Sequence, residues 1–436
     1  MLVLGIEDAE GVRHYYGLPE TQTFAMMYVR LDVLADLYSD MDSENKSDEN
    51  IIPETWEDVM ALIPLLQARE MEIGLTTEYR VFLYQMGGDL FADDGMRINL
   101  DSKTGLEAFS KMCKMFTDYK FPYMYDAANR FRTGEMPILI GDYTGLYNQL
   151  KVFATEIEGL WQFVPLPGIE NADGVINNQS ISGVSATVMV KGSEDRKAEA
   201  WEFMKWYTGK NCQTEYTNEM VAIMGPSAKH PTANIEALES LPWTREEFNM
   251  ISSQIEGHDG PGGLDGLASI PNYPGAYIIN RYVSFAFLAA YNEKADPQKE
   301  LLSYINIINK EISRKRAEFG LETLEQGETL ASKRLSQVIE AVEVLEERGY
   351  ADQLLLEKIK AAVRSDDIMS LNEMAEEVAK LISESAKTDL KGDAMNIKTM
   401  QVQNKNIADD NRFSDDNVLY FIYVALTDAA NAMSKY

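Results

Sequence analysis

Apolar residues return at helical spacing in several stretches: Trp56, Val59, Met60 and Ile63; Leu106, Phe109, Met112, Cys113 and Phe116; Leu335, Val338, Ile339, Val342 and Leu345. The segment Pro53-Glu54-Thr55-Trp56-Glu57-Asp58 opens the first of these, its proline and acids suiting the first turn of a helix and its positive end. Pro64 is expected to kink or interrupt that helix. Ser102 is placed to cap the second, which makes Cys113 a core residue. A helix from about Glu78 should end at Gly87-Gly88. Ser193 is expected to cap a helix carrying Ala198, Trp201 and Lys205, and Thr244 with Glu247 has the spacing of a capping box. Residues 275–293 and 297–319 read as two more helices. Ile73–Thr76, Pro137–Gly141 and Trp161–Val164 read as short buried strands, and Ala186–Lys191 alternates like a strand. Strands alternating with helices predict an α/β fold.

From residue 328 onward Trp and Pro vanish. Charged helical patterns take over at 329–348, 350–364, 370–387 and 416–434, amphipathic helices that pack on each other or on a partner. The expected division is therefore 1–327, an α/β region, and 328–436, an all-α tail.

The chain has 436 residues, and its 40 basic against 70 acidic side chains leave a net charge of −30. The length suits about two or three domains. A hydrophobic content of 45% supplies large cores, which excludes wholesale disorder. The negative charge repels phosphate backbones and anionic lipid, so nucleic acid is not an expected partner. Cys113 and Cys212 form no CxxC pair, and His14, His230 and His258 form no HExxH, so neither a metal site nor a cofactor is expected. The acidic segment Asp40–Asn50 has Asn45 where a calcium loop needs Gly and Ile51 where it needs Glu, and reads as a solvated loop. Gly260–Gly266 has Asp265 where GxGxxG needs its third glycine, and reads as a mobile loop. No apolar run reaches the ~18–20 residues of a membrane span. Met1–Ile6 is followed at once by Glu7, Asp8 and Glu10, which does not suit a signal peptide.

No Walker loop or GxSxG is present, and no catalytic residue is assigned. Sequence does not show whether two carboxylates face each other as in a glycosidase. The clearest candidate chemistry is Gly141-Asp142-Tyr143-Thr144-Gly145-Leu146-Tyr147-Asn148, into which the buried strand Ile138–Ile140 runs. Ligands of α/β sheets bind beyond the carboxyl ends of strands, and an aromatic face there suits a sugar. Tyr143 is either such a face or a core aromatic, and the residues alone leave both open.

From about Tyr15 to Leu321 the chain resembles the family 1 extracellular solute-binding proteins of bacterial ABC importers, the group that includes maltose-binding protein. The resemblance rests on segments in order: Tyr16-Gly17-Leu18-Pro19-Glu20-Thr21-Gln22, Pro53 to Asp58, Gly87-Gly88, Phe131 to Pro137, Pro165 to Gly168, Ala200 to Trp206, Pro274 to Tyr277 and Arg314 to Leu321. It implies a two-lobe periplasmic-binding-protein-like α/β fold (type II), with solute held between the lobes and delivered to membrane permease subunits. The implied ligand is a carbohydrate, the implied state a monomer, and no catalysis is implied. Carried over residue by residue, Tyr143 beside Asp142 falls where the family places a sugar-stacking aromatic. Tyr277, with Arg281 one turn on, falls where a second aromatic caps the cleft. Glu20, Thr21 and Gln22 lie on a crossing segment beside the ligand, and Tyr84, Gln85, Tyr125 and Asp126 follow from the same logic. The family also implies export and a lipid anchor on the extracellular face of the membrane. The chain as given lacks the family's signal, anchor cysteine and first strands, so the expectation is either a fragment of a longer product or an incomplete N-terminal lobe. The alternatives are a non-catalytic helical interaction protein on a degenerate binding scaffold, and a glycan-active enzyme.

Overall fold

The computed structural model describes residues 5–7, 13–39, 51–76, 78–171, 173–188, 192–225, 227–257, 266–365, 367–385 and 414–434. The acidic loop Asp40–Asn50, the glycine-rich loop apart from Gly266, and His258 lie outside the described residues.

In chain order the first elements are β1 (Gly5–Glu7), β2 (Arg13–Tyr15), β3 (Gly17–Arg30), α1 (Leu31–Ser39), α2 (Trp56–Ala68), β4 (Ile73–Gly74) and α3 (Tyr79–Gln85). Next come β5 (Phe91–Ala92), β6 (Arg97–Ile98), α4 (Lys103–Thr117), α5 (Ala127–Thr133), β7 (Ile138–Asp142), α6 (Gly145–Phe153) and β8 (Trp161–Val164). They are followed by β9 (Ile169–Glu170), β10 (Ile176–Asn177), β11 (Ser180–Val188), α7 (Glu194–Tyr207), α8 (Lys210–Met224), α9 (Ile235–Ser240), α10 (Arg245–Glu256) and β12 (Leu267–Ser269). The last are α11 (Ile279–Glu293), α12 (Pro297–Glu318), α13 (Leu330–Glu347), α14 (Gln353–Ser365), α15 (Ile368–Ser385) and α16 (Asp415–Ser434). Contacts divide the chain into two compact units: Met1–Leu90 with Ser102–Asn272 and Ala286–Glu300, and Phe91–Asp101 with Tyr273–Phe285 and Leu301–Tyr436.

The first unit is built on a mixed six-stranded sheet in the order β12-β11-β3-β7-β4, with β8 also on β3. Strand β3 does two jobs. Its C-terminal half, with Met26, Met27, Tyr28 and Val29 fully buried, pairs antiparallel with β7 and β8. A continuous apolar run is what a strand covered on both faces requires. Its N-terminal half is polar and pairs with β11 from Gly17↔Val188 to Phe24↔Ser182. Helix α2 begins at a capping box between Thr55 and Asp58 and runs on through Pro64 to Ala68. Pro64 therefore does not interrupt the helix. Ser102 caps α4 through Gly105 N, and Thr244 and Glu247 form the expected capping box of α10.

In the second unit α12 buries Leu301, Ile305, Ile308 and Ile312. Asn309 on this helix accepts from Ile98 N at 2.8 Å, which ties it to β6. Helices α13 to α16 share one core that includes Val338, Val342, Leu345, Leu356, Ile359, Leu371, Val378, Ile422 and Leu426. The four amphipathic patterns of the sequence thus bury their apolar stripes against one another. Among the described residues no helix is long and apolar enough to cross a membrane.

Candidate ligand-binding site

The polar half of β3 is held on both sides. On one edge it pairs with β11; beyond that, Gln22 N donates to Pro231 O and Ala233 N donates to Glu20 O, each at 2.9 Å, and Thr21 bridges to Thr232. Glu20, Thr21 and Gln22 therefore stand where three chain segments run side by side, and all three are half-buried. Alternation along the strand sends Gln22 to Ser182, its Nε2 donating to Oγ at 3.0 Å. Glu20 accepts from the Tyr207 hydroxyl at 2.5 Å, a charge-assisted bond that raises the Tyr207 pKa to about 12. His230 lies beside this group with its ring edge-on to Tyr216 at 5.1 Å; burial lowers its pKa, against the pull of Glu20. The His230 Nε2 and Gln213 Oε1 atoms are buried and have no hydrogen-bond partner among the described residues. A half-buried carboxylate and amide on neighbouring strand positions are the groups that hydrogen-bond hydroxyl-bearing solutes.

Around the end of β7 the arrangement differs. Tyr143 is only 1% exposed and lies flat against Phe24, with ring centroids 4.2 Å apart and planes 5° from parallel. In this structure it takes the core position, and burial pushes its hydroxyl pKa up. Asp142 accepts from Thr144 N, Thr144 Oγ1 and Gly145 N, so its carboxylate organises the start of α6. Behind it Lys229 is buried over the rings of Tyr147 and Trp243, 4.2 and 4.3 Å from their centroids. Burial lowers its pKa to about 8, with Glu247 pulling the other way.

The remaining sequence candidates separate. Gln85 is buried and committed: it accepts from Trp56 Nε1 and donates to Pro167 O and Gln179 O. Tyr84 is half-buried, the Tyr125 hydroxyl donates to Leu75 O at 2.9 Å, and Asp126 caps α5. Tyr277 and Arg281 belong to the second unit and are exposed. The Tyr277 ring is 63% exposed and its hydroxyl donates to Glu311, whose pKa is held at about 2 by Arg314 and then by Tyr277. Glu20, Thr21 and Gln22 are thus brought together, whereas the others are dispersed. Sequence reasoning missed Ser182, Tyr207, His230 and Lys229. Their partners are far away along the chain, and no spacing rule reports a pairing made across a sheet. Among the described residues no group of three or more His, Cys, Asp or Glu is arranged to hold a metal.

Residues 3–211 match the sequence profile of the bacterial extracellular solute-binding proteins. This region belongs to that family. The solute-binding region also brings solved structures of the same fold. The sugar-binding protein MalE of Xanthomonas citri superimposes with a TM-score of 0.53 at 15% identity, covering 71% of this chain and 73% of that one. An ABC transporter solute-binding protein of Thermotoga lettingae, bound to α-D-tagatose, gives 0.51 at 16% identity over 68% and 72%. A cyclic α-maltosyl-1,6-maltose binding protein of Arthrobacter globiformis gives 0.51 at 16% over 69% and 72%. A search of curated protein sequences finds no match. The chain therefore has a mixed α/β fold that matches sugar-binding proteins of this type, with a C-terminal helical region.

Proposed function

We propose that this protein is the carbohydrate-binding component of an ABC importer, taking an oligosaccharide between its lobes and passing it to permease subunits at the outer face of the cell membrane. The observation that carries this reading is the junction at Glu20, Thr21 and Gln22, where half-buried polar side chains stand on a strand flanked by β11 and by the segment Pro231–Ala233. Planar carboxylate and amide groups hydrogen-bond sugar hydroxyls in pairs. Membership of the solute-binding family and the sugars named in similar structures support the ligand class. In this reading the protein acts as a lipid-anchored, non-catalytic monomer.

Isothermal titration of the purified chain against a panel of mono- and oligosaccharides tests the reading, with chromatography of the sugars after incubation. Saturable binding without new products is expected. Absence of binding across the panel, or release of shorter sugars, would overturn it.

A further inference from the structure

Glu20 is the one charged residue on the three adjoining stretches of the candidate site. Residues 17–24 of β3, 182–188 of β11 and 231–233 otherwise carry only neutral side chains. Among the described residues the Glu20 carboxylate accepts from one side chain, the Tyr207 hydroxyl at 2.5 Å. An ionised carboxylate has room for about four donors, so most of its accepting capacity is open. Among the described residues no cation answers its charge. Burial lowers the His230 pKa, so at neutral pH that ring is uncharged. Lys205 and Lys210 flank Tyr207 along the chain, but Lys205 pairs with Glu202 at 2.7 Å and Lys210 with Glu236 at 3.8 Å. Lys229 turns to the Tyr147 hydroxyl at 2.7 Å and to Glu247 at 3.9 Å. Gln22, two residues on and therefore on the same side of the strand as Glu20, is neutral and donates to Ser182.

We propose that Glu20 is a charge filter, which admits neutral and amino-bearing sugars to the junction and turns away sugars that carry a carboxylate, such as uronic acids. The inference rests on the carbohydrate-binding reading and narrows its ligand class. A hydroxyl or an ammonium group donates to the open lone pairs of Glu20, the ammonium through a bond strengthened by both charges. A ligand carboxylate offers no donor. It meets an unpaired like charge in a half-buried place, where water and salt screen the repulsion less than at the open surface. Selection by an unpaired charge needs no added contact to the preferred sugar. The net charge of −30 works in the same direction at longer range.

The test titrates the full chain with matched neutral, amino-sugar and uronic-acid oligosaccharides of one glycosidic linkage, at about 10 mM and about 300 mM salt. At low salt the acidic member should bind at least about tenfold more weakly than the neutral one, and the amino member more tightly than either. Added salt should shrink both differences. In Glu20→Gln, whose amide oxygen still accepts from Tyr207, the acidic member should come within about threefold of the neutral one. The salt series reads the same charge in the native chain, whether or not the variant folds. Equal or tighter binding of the acidic member, differences that ignore salt, or discrimination that survives in folded Glu20→Gln would overturn the proposal and leave the sugar-binding reading in place. Binding by no member of the set would remove that reading and the charge filter together.

Discussion

The Lys229 ammonium donates to the Tyr147 hydroxyl at 2.7 Å, and that hydroxyl donates in turn to Glu247 at 2.8 Å. Glu247 also accepts from Thr244 N as half of the capping box of α10. One buried relay thus joins the segment beside β3, helix α6 and helix α10, and each member satisfies the next.

This relay sets a pH dependence. Burial lowers the Lys229 pKa to about 8, whereas in the unfolded chain it stands near ~10.4. Between those values the unfolded state holds more protons, so this lysine makes stability rise with pH. Urea unfolding at pH 7.0 to 9.5 should show a more positive slope of stability against pH for the native protein than for Lys229→Met. Parallel slopes would show that Lys229 does not titrate in this range.

Tyr143 is stacked on Phe24 and closed off from solvent, so its removal leaves a cavity. Tyr143→Ala is expected to lower stability by about 3–5 kcal/mol, and Tyr143→Phe by less than about 1.5 kcal/mol. Chemical denaturation measures both. If Tyr143→Phe binds sugar as the native chain does while Tyr143→Ala loses stability, the ring acts through packing.

At the crossing strands the expectation is reversed. Gln22 and Glu20 are half-buried and on an already paired strand, so truncating Gln22 costs little packing. Gln22→Ala should weaken sugar binding by about tenfold or more, equal to about 1.4 kcal/mol, with the melting temperature nearly unchanged. Titration calorimetry beside a thermal melt separates the two quantities. Unchanged affinity would remove Gln22 from the site.

In the second unit Glu322 is held between buried partners, with Arg334 at 2.7 Å and Lys333 at 3.3 Å. Burial works to raise the Glu322 pKa, but Arg334 and Lys333 outweigh it and hold the carboxyl below its ordinary value. Arg334→Ala leaves that carboxylate buried with one cation fewer, at an expected cost of about 3–5 kcal/mol. A lower urea midpoint of the helical signal, with sugar affinity retained by the folded fraction, is the expected result.

Much of the architecture was legible in the residues. Thr244 with Glu247 specifies its capping box within one turn, and Leu335 to Leu345 specify a buried stripe, because both signals depend only on neighbours along the chain. The family order from Tyr16 to Leu321 supplied the solute-binding fold, and residues 3–211 match that family's profile. Pro64 shows where local rules stop: burial of Trp56, Val59, Leu62, Ile63 and Leu66 holds α2 together across a residue that weakens helices.

What the tertiary structure decided was which polar and aromatic groups meet. Tyr143 reads equally as a ligand face or a core ring until Phe24 is seen lying on it. Gln22 finds Ser182 across 160 residues of chain, and Glu20 finds Tyr207 across 187. Helix α7 forms after Ser193 as its residues predict, yet Trp206 on it is exposed, as is Ile223 on α8. Sequence by itself determines which segments are helix or strand and which side of each is apolar, since those follow from short-range periodicity. The covering of each side depends on contacts between distant segments, and only the folded chain contains them.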